Sequence, residues 1–294
     1  MAQPRTVAVI FNPSKASDPD RTRREICDAV LAGGLPQPLW FDTTADDPGT
    51  SQCLQAIEDG AELVLVSGGD GTVMACVSAL AGTDVPLAVL AAGTGNLLAR
   101  NFGIPQGLAD AVRVAAQGTS RRIDVGVSGA RRFVIMAGMG FDAQLLDDAP
   151  EQLKAKVGWL AYIVSAARHL REPRHAYTIT LDDRQSLHVR GRGVLIGNVG
   201  KLQGGLPVLP DAVPDDGLLD VAVIRAKSLA GWAVLAVSVL LRRPSRKLET
   251  FQARTVVVEC EDKLPTELDG EVIGDHARLE VAVEPRALLL RVPA

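Results

Sequence analysis

Within the first hundred residues, short unbroken apolar runs alternate with helical segments. This alternation limits the possible folds more than any other feature. "TVAVIFN" (6–12), "PLWFDT" (38–43), "ELVLV" (62–66) and "VPLAVLAAGTGN" (85–96) read as four strands. "DRTRREICDAVLAGG" (20–34), "DPGTSQCLQAIEDG" (47–60), Val73–Leu80 and the segment opening at "NLLARNFG" (96–103) read as helices. Strands buried on both faces lose their polar alternation, so the pattern predicts a parallel sheet covered by helices. In such sheets ligands bind beyond the carboxyl ends of the strands. Three of the four strands run into unusual loops: "FNPSKAS", "VSGGDGTV" and "LAAGTGN". The predicted topology puts all three on that edge.

The remainder of the chain reads differently. After about residue 124 the pattern turns to strands, from "RRFVIMAGMGFDA" through "HAYTITLDD", "SLHVRGRGVLIGNVG", "LLDVAVIRA", "ARTVVVECED", "RLEVAVE" and "ALLLRVP", with "ITLDDRQSL" as a hairpin. The expected organisation is an α/β domain over 1–124, completed by a strand at about 285–294. An antiparallel β-rich domain occupies 125–284. With 294 residues, 47% of them hydrophobic, the chain can bury two such cores. A net charge of −4 argues against general nucleic-acid binding, which needs a basic face.

Cys27, Cys53, Cys76 and Cys260 are scattered, with no CxxC pair and no Cys/His group at metal-ligand spacing. They are expected to be buried, reduced thiols of a cytosolic protein. "MAQPRTVAVIF" enters a strand pattern at once and shows no secretory signal. The apolar stretch 228–241 falls short of the about 20 residues a membrane span needs. With the stripe at 155–170 it forms apolar surface flanked by basic residues (Arg242, Arg243, Arg246 and Lys247 in "RRPSRK"). Such surface suits either a packed core or contact with anionic headgroups.

The loop "SGGDGT" suggests the chemistry. Glycines permit close backbone approach, and successive amides at a helix start make an anion site. Asp70 would repel phosphate unless a cation offsets it, which favours phosphoryl transfer with Mg²⁺ over a simple turn. The chain lacks GxxxxGK[ST], and no GxGxxG follows the first strand, so neither a P-loop nor a Rossmann site is supported.

"FNP" (11–13), "SGGDGT" (67–72), "GTGN" (93–96), "PDDGLLDV" (214–221) and "LDGE" (268–271) together resemble the diacylglycerol kinase catalytic-domain family, which includes bacterial lipid kinases and sphingosine kinases. The resemblance spans nearly the whole chain. It implies a kinase of the NAD kinase and phosphofructokinase superfamily, with ATP in a cleft between the two domains and a membrane lipid as acceptor. It also implies nucleotide contacts at Asn12, Pro13, Gly68, Gly69, Asp70, Gly71, Thr72, Val73, Met74, Gly93, Thr94 and Asn96, with Thr43 and Thr44 competing for one further position. Asp70, and less directly Asp124, would join a magnesium–water network. Val213, Asp216 and Leu218 would hold a second, structural Mg²⁺ through carbonyl oxygens, against the plainer reading of a Pro-Asp-Gly turn. Glu271 would accept the lipid hydroxyl's proton, with Asp269 its competitor. An extended segment would point both to one face, whereas Asp-Gly is also a hairpin signal.

Three departures stand out: "NPSKAS" lacks the family's glycine, Met74-Ala75 replaces an Asn-Glu pair, and Leu97 replaces an Asp. Two alternatives follow, an NAD kinase and a nucleotide- or lipid-binding regulator without catalysis. The expected location is cytoplasmic, at the inner face of the membrane. Neither the lipid nor the oligomeric state can be read from the sequence, a homodimer being one option.

Overall fold

The computed structural model describes residues 4–93, 95–140, 174–200, 208–225 and 248–294. The apolar segments 155–170 and 228–241 lie outside them. The chain divides into two compact units, Met1–Val125 with Arg286–Ala294, and Gly126–Pro285.

The first unit is α/β. Strands β1 (Val7–Phe11), β2 (Leu39–Asp42), β3 (Leu63–Gly68) and β4 (Leu87–Ala91) run parallel in the order β4-β3-β1-β2. Every residue of β1 and β3 is buried, as unbroken apolar runs require. β2 sits at the edge and is half exposed. There Trp40 meets Phe11 edge to face, and the Arg23 guanidinium lies 5.0 Å from both ring centres.

Helix α1 (Pro19–Ala32) starts on Asp18, whose side chain caps the Arg21 amide. Helices α2 (Thr50–Glu58), α3 (Asp70–Leu80), α4 (Leu97–Asn101) and α5 (Leu108–Gln117) follow. α3 opens at Asp70, three residues earlier than its apolar pattern predicts, because Gly69 in extended conformation ends the strand abruptly. Ile26 and Val30 of α1, with Ala111, Val112 and Ala115 of α5, pack with Val7, Val9, Leu63 and Leu65 into one core. Each of the valine, leucine and isoleucine side chains contributes about 1.5–3 kcal/mol when fully buried.

The second unit is antiparallel. β7 (Met136–Met139), β10 (Gly193–Gly197), β11 (Leu219–Ile224) and β12 (Leu248–Ala253) pair in succession. β8 (His175–Leu181) and β9 (Gln185–Gly191) form the predicted hairpin, with Asp182 and Asp183 both at positive φ. β13 (Thr255–Leu268) pairs with β7, β8 and β14 (Glu271–Val292). Its core gathers Phe133, Tyr177, Ile179, Val194, Val221, Val258 and Leu279.

Several expectations need correction. "RLEVAVE" and "ALLLRVP" belong to one strand, β14, which runs on through positive-φ residues at Gly274 and Arg286. β5 (Thr119–Ser128) begins before residue 124, and β12 was not anticipated. All four cysteines are free, but Cys27 and Cys260 are only half-buried.

Candidate active site

Because β1, β3 and β4 are parallel, their following loops share one edge, and side chains lock them together. The Asn12 amide nitrogen donates to the Ser67 carbonyl at 2.9 Å. Its side-chain oxygen caps the short 3-10 turn Pro13–Lys15 at Ser14, while its Nδ2 donates to the buried Thr72 hydroxyl at 3.1 Å. Asn12 thus ties the first loop to the start of α3.

The two glycine loops meet backbone to backbone. A Cβ on Gly93 would lie 2.9 Å from Gly69 Cα, and one on Gly95 would lie 2.4 Å from Asp70 Oδ2. A Cβ on Gly68 would strike Thr72 at 2.6 Å. Asp70 makes the latch: Oδ2 accepts the Asn96 amide at 3.0 Å and Oδ1 the Leu97 amide at 2.8 Å. Asn96, left-handed at φ 48°, closes a ring with Gly93, accepting its amide at 3.0 Å and donating to its carbonyl at 2.8 Å. The Asp70 carboxylate is therefore turned away from the loop and onto the start of α4. These two amides give the acidic residue in the glycine loop its partners within the protein.

The start of α3 remains open. Gly69 offers no side-chain cap, so the first-turn amides of Asp70, Gly71 and Thr72 point outward with the positive end of the helix dipole. The space beside Gly71 is empty to 4 Å. Val73 differs from its neighbours: its amide donates to the Gly69 carbonyl at 3.0 Å and its side chain is buried. Met74 is half-buried in α3 and Leu97 is buried. Thr94 lies outside the described residues.

Thr43 is buried at the end of β2, its amide bonded to the Phe11 carbonyl. Thr44 is exposed, and its hydroxyl accepts the Asp47 amide at 3.1 Å. Asp47 caps α2, and hydrogen bonds from Ser51, Gly49 and Thr50 hold its carboxyl below the usual range against a smaller desolvation effect. Asp124 is fully buried and accepts the Arg286 amide at 2.6 Å. Arg122 bonds Asp84. Asp124 thus fastens the chain where β14 enters the first unit.

In the second unit, "LDGE" is a two-residue hairpin turn. Asp269 (φ 50°) and Gly270 (φ 87°) are both left-handed, and Leu268 pairs with Glu271. Of the two readings of this segment, the hairpin turn is the one formed, so the two carboxylates do not share a strand face. Asp269 accepts the amides of Val134, Ile135 and Met136, each at 2.8 Å, and so fixes the turn before β7. Glu271 is exposed, with only a loose contact of 3.9 Å to Arg131. Of the pair, Glu271 alone can take a proton without releasing backbone.

Before β11, Asp216 closes a small turn on the Leu218 amide at 2.9 Å, and Val213 is exposed. Sequence reasoning missed Asp220. Burial lifts its carboxyl to about 6, the Gln252 bond opposes that, and the charges of Asp216 and Asp211 add to it. The signal was an acidic residue inside the apolar run "LLDVAV".

The family model for the diacylglycerol kinase catalytic domain matches residues 6–128, and that for the YegS C-terminal NAD kinase beta sandwich-like domain matches 135–292. A diacylglycerol kinase of Mycobacterium tuberculosis is 31% identical over 214 residues, 70% of this chain and 69% of that one. The crystal structure of a diacylglycerol kinase from Bacillus anthracis superposes with a TM-score of 0.77 at 21% identity, covering 99% and 98% of the two chains. An NAD kinase from Archaeoglobus fulgidus, solved with ATP, reaches 0.52 at 10% identity over 97% and 93%. At these identities the two solved structures speak to fold alone. The fold is that of a two-part kinase, parallel α/β followed by an antiparallel β-rich region. The chain belongs to the diacylglycerol kinase family and carries a YegS-type C-terminal domain.

Proposed function

We propose that this protein transfers the γ-phosphate of ATP, with Mg²⁺, to the hydroxyl of a membrane lipid. The observation that carries the reading is the paired glycine loops, latched by Asp70 beside an uncapped α3 start. Amides of Asp70, Gly71 and Thr72 would hold phosphate oxygens, Asn12 would fix the loop that carries Lys15, and the Gly93–Asn96 loop would wall the other side. Pro13, Thr43, Thr44, Val73 and Met74 would shape the nucleotide's surroundings rather than bind phosphate through side chains.

Mg²⁺ bound with the triphosphate would neutralise charge that builds on the transferring group. Asp70 and Asp124 each spend carboxylate oxygens on backbone amides. Contact with the ion through water therefore fits them better than direct ligation. The turn at Val213, Asp216 and Leu218 would hold a structural cation. Glu271 would accept the proton as the lipid oxygen–phosphorus bond forms and the bond to the β-phosphate oxygen breaks. Asp269 is assigned to positioning. Among the described residues no helix is long and apolar enough to cross a membrane, which is compatible with peripheral contact at the inner membrane face.

Labelled ATP with a panel of lipid alcohols tests the reading. Transfer by the wild type and its loss in Glu271→Gln are expected. ATP binding without transfer to any lipid would favour the non-catalytic regulator, and formation of NADP from NAD would favour the NAD kinase. Either result would overturn the proposal.

A further inference from the structure

Three side chains of different chemistry meet on one face of the second unit. Cys260 and Asp262 stand two apart on β13, so both point to the same side. β8 runs antiparallel beside them, with Tyr177 opposite Cys260. Continuing that register sets His175 opposite Asp262, and His175 Nδ1 lies 2.8 Å from Asp262 Oδ2. On its other flank β13 departs from β14: the register jumps from Glu259↔Arg278 to Leu264↔His276. The shift with β14 falls across residues 260–263, while the pairing with β8 stays regular through Cys260. One donor atom from each of His175, Cys260 and Asp262 lies within 4.8 Å of the others. His175 and Cys260 are half-buried and Asp262 is exposed, so an ion has an entry path.

We propose that His175, Cys260 and Asp262 form a zinc site. The donor set decides the metal. Imidazole nitrogen, thiolate sulfur and carboxylate oxygen together suit borderline Zn²⁺, whereas Mg²⁺ and Ca²⁺ take oxygen alone. Bond lengths of about 2.0–2.3 Å put tetrahedral ligand atoms roughly 3.3–3.8 Å apart, so the His175–Asp262 contact of 2.8 Å opens slightly as the ion enters. The His175–Asp262 hydrogen bond already holds two of the three donors together and is exchanged for two metal bonds. Tyr177 is not a fourth ligand, because its hydroxyl is directed at the Arg192 carbonyl, 3.4 Å away. Water completes the shell, and the ion pins β8 to β13. The site does not depend on the kinase reading, and kinase activity is not its readout.

The test uses the full chain, stripped with chelator and titrated with Co²⁺ as an optical stand-in, followed by displacement with Zn²⁺. One equivalent with a thiolate-to-cobalt absorption band is expected, and Zn²⁺ should raise the melting temperature. Cys260→Ser should abolish the band, while His175→Gln and Asp262→Asn should each lower the Co²⁺ affinity. Asp262 is exposed, so its variant keeps the test valid if another variant fails to fold. Absence of the band in the wild type would overturn the proposal. So would its persistence in Cys260→Ser, since Cys27, Cys53 or Cys76 would then be the ligand.

Discussion

Gly95 and Gly71 occupy neighbouring loops and answer different questions. A Cβ at Gly95 would fall on the Asp70 carboxylate, so Gly95→Ala must open the latch to Asn96 and Leu97. Hydrogen bonds to a charged group are worth about 1.5–3 kcal/mol, so ATP binding should weaken roughly tenfold or more by calorimetry. At Gly71 the space is empty and the residue lies in a helix, where alanine is favoured by about 1 kcal/mol. Gly71→Ala should therefore melt no lower than the wild type yet bind ATP more weakly, because the added methyl stands where phosphate is proposed to lie. Undiminished ATP affinity in both variants would place phosphate elsewhere.

Asp47 gives a pH-dependent prediction at the same scale. Its carboxyl is held below its unfolded value, so its stabilising effect is complete above about pH 4. The effect is lost as pH falls through the folded value. Asp47→Ala should cost about 1 kcal/mol of stability at pH 7, the ordinary worth of a helix cap. The gap from wild type should close on acidification in denaturant titrations.

Among the elements, the Asp269–Gly270 turn separates structure from chemistry. Asp269→Ala deprives three backbone amides of their acceptor. At about 1–3 kcal/mol for each donor left unsatisfied, the loss should exceed about 3 kcal/mol. Glu271→Gln removes only a loose exposed contact and should leave melting unchanged while ending transfer. Equal melting losses in the two variants would contradict this division. The turn itself was legible, since Asp-Gly between apolar runs is a hairpin signal. The roles of its carboxylates were not, because the amides that Asp269 accepts come from 133–135 residues earlier in the chain. α3 shows the same limit: apolar periodicity found its body, but its first residue follows from Gly69 ending β3 in extended conformation.

At the scale of the whole molecule, the change from alternating strands and helices to strands alone revealed the two architectures. The loops on the shared edge were legible because each is contiguous and follows an apolar run. Cross-strand neighbours were hidden. His175 and Asp262 stand 87 residues apart and meet only through the β8–β13 register, so no Cys/His spacing could announce them. Asp124 meets Arg286 across 162 residues for the same reason. The long β14 looks like two strands in the sequence because Glu284-Pro285-Arg286 interrupts its apolar run.

The central claim is phosphate transfer to a lipid hydroxyl. It is tested most directly by mass spectrometry of a total lipid extract incubated with the protein, ATP and Mg²⁺. The account predicts a lipid class that gains the mass of one phosphate with the wild type and does not with Glu271→Gln. An unchanged lipid profile with folded, ATP-binding wild-type protein would contradict it.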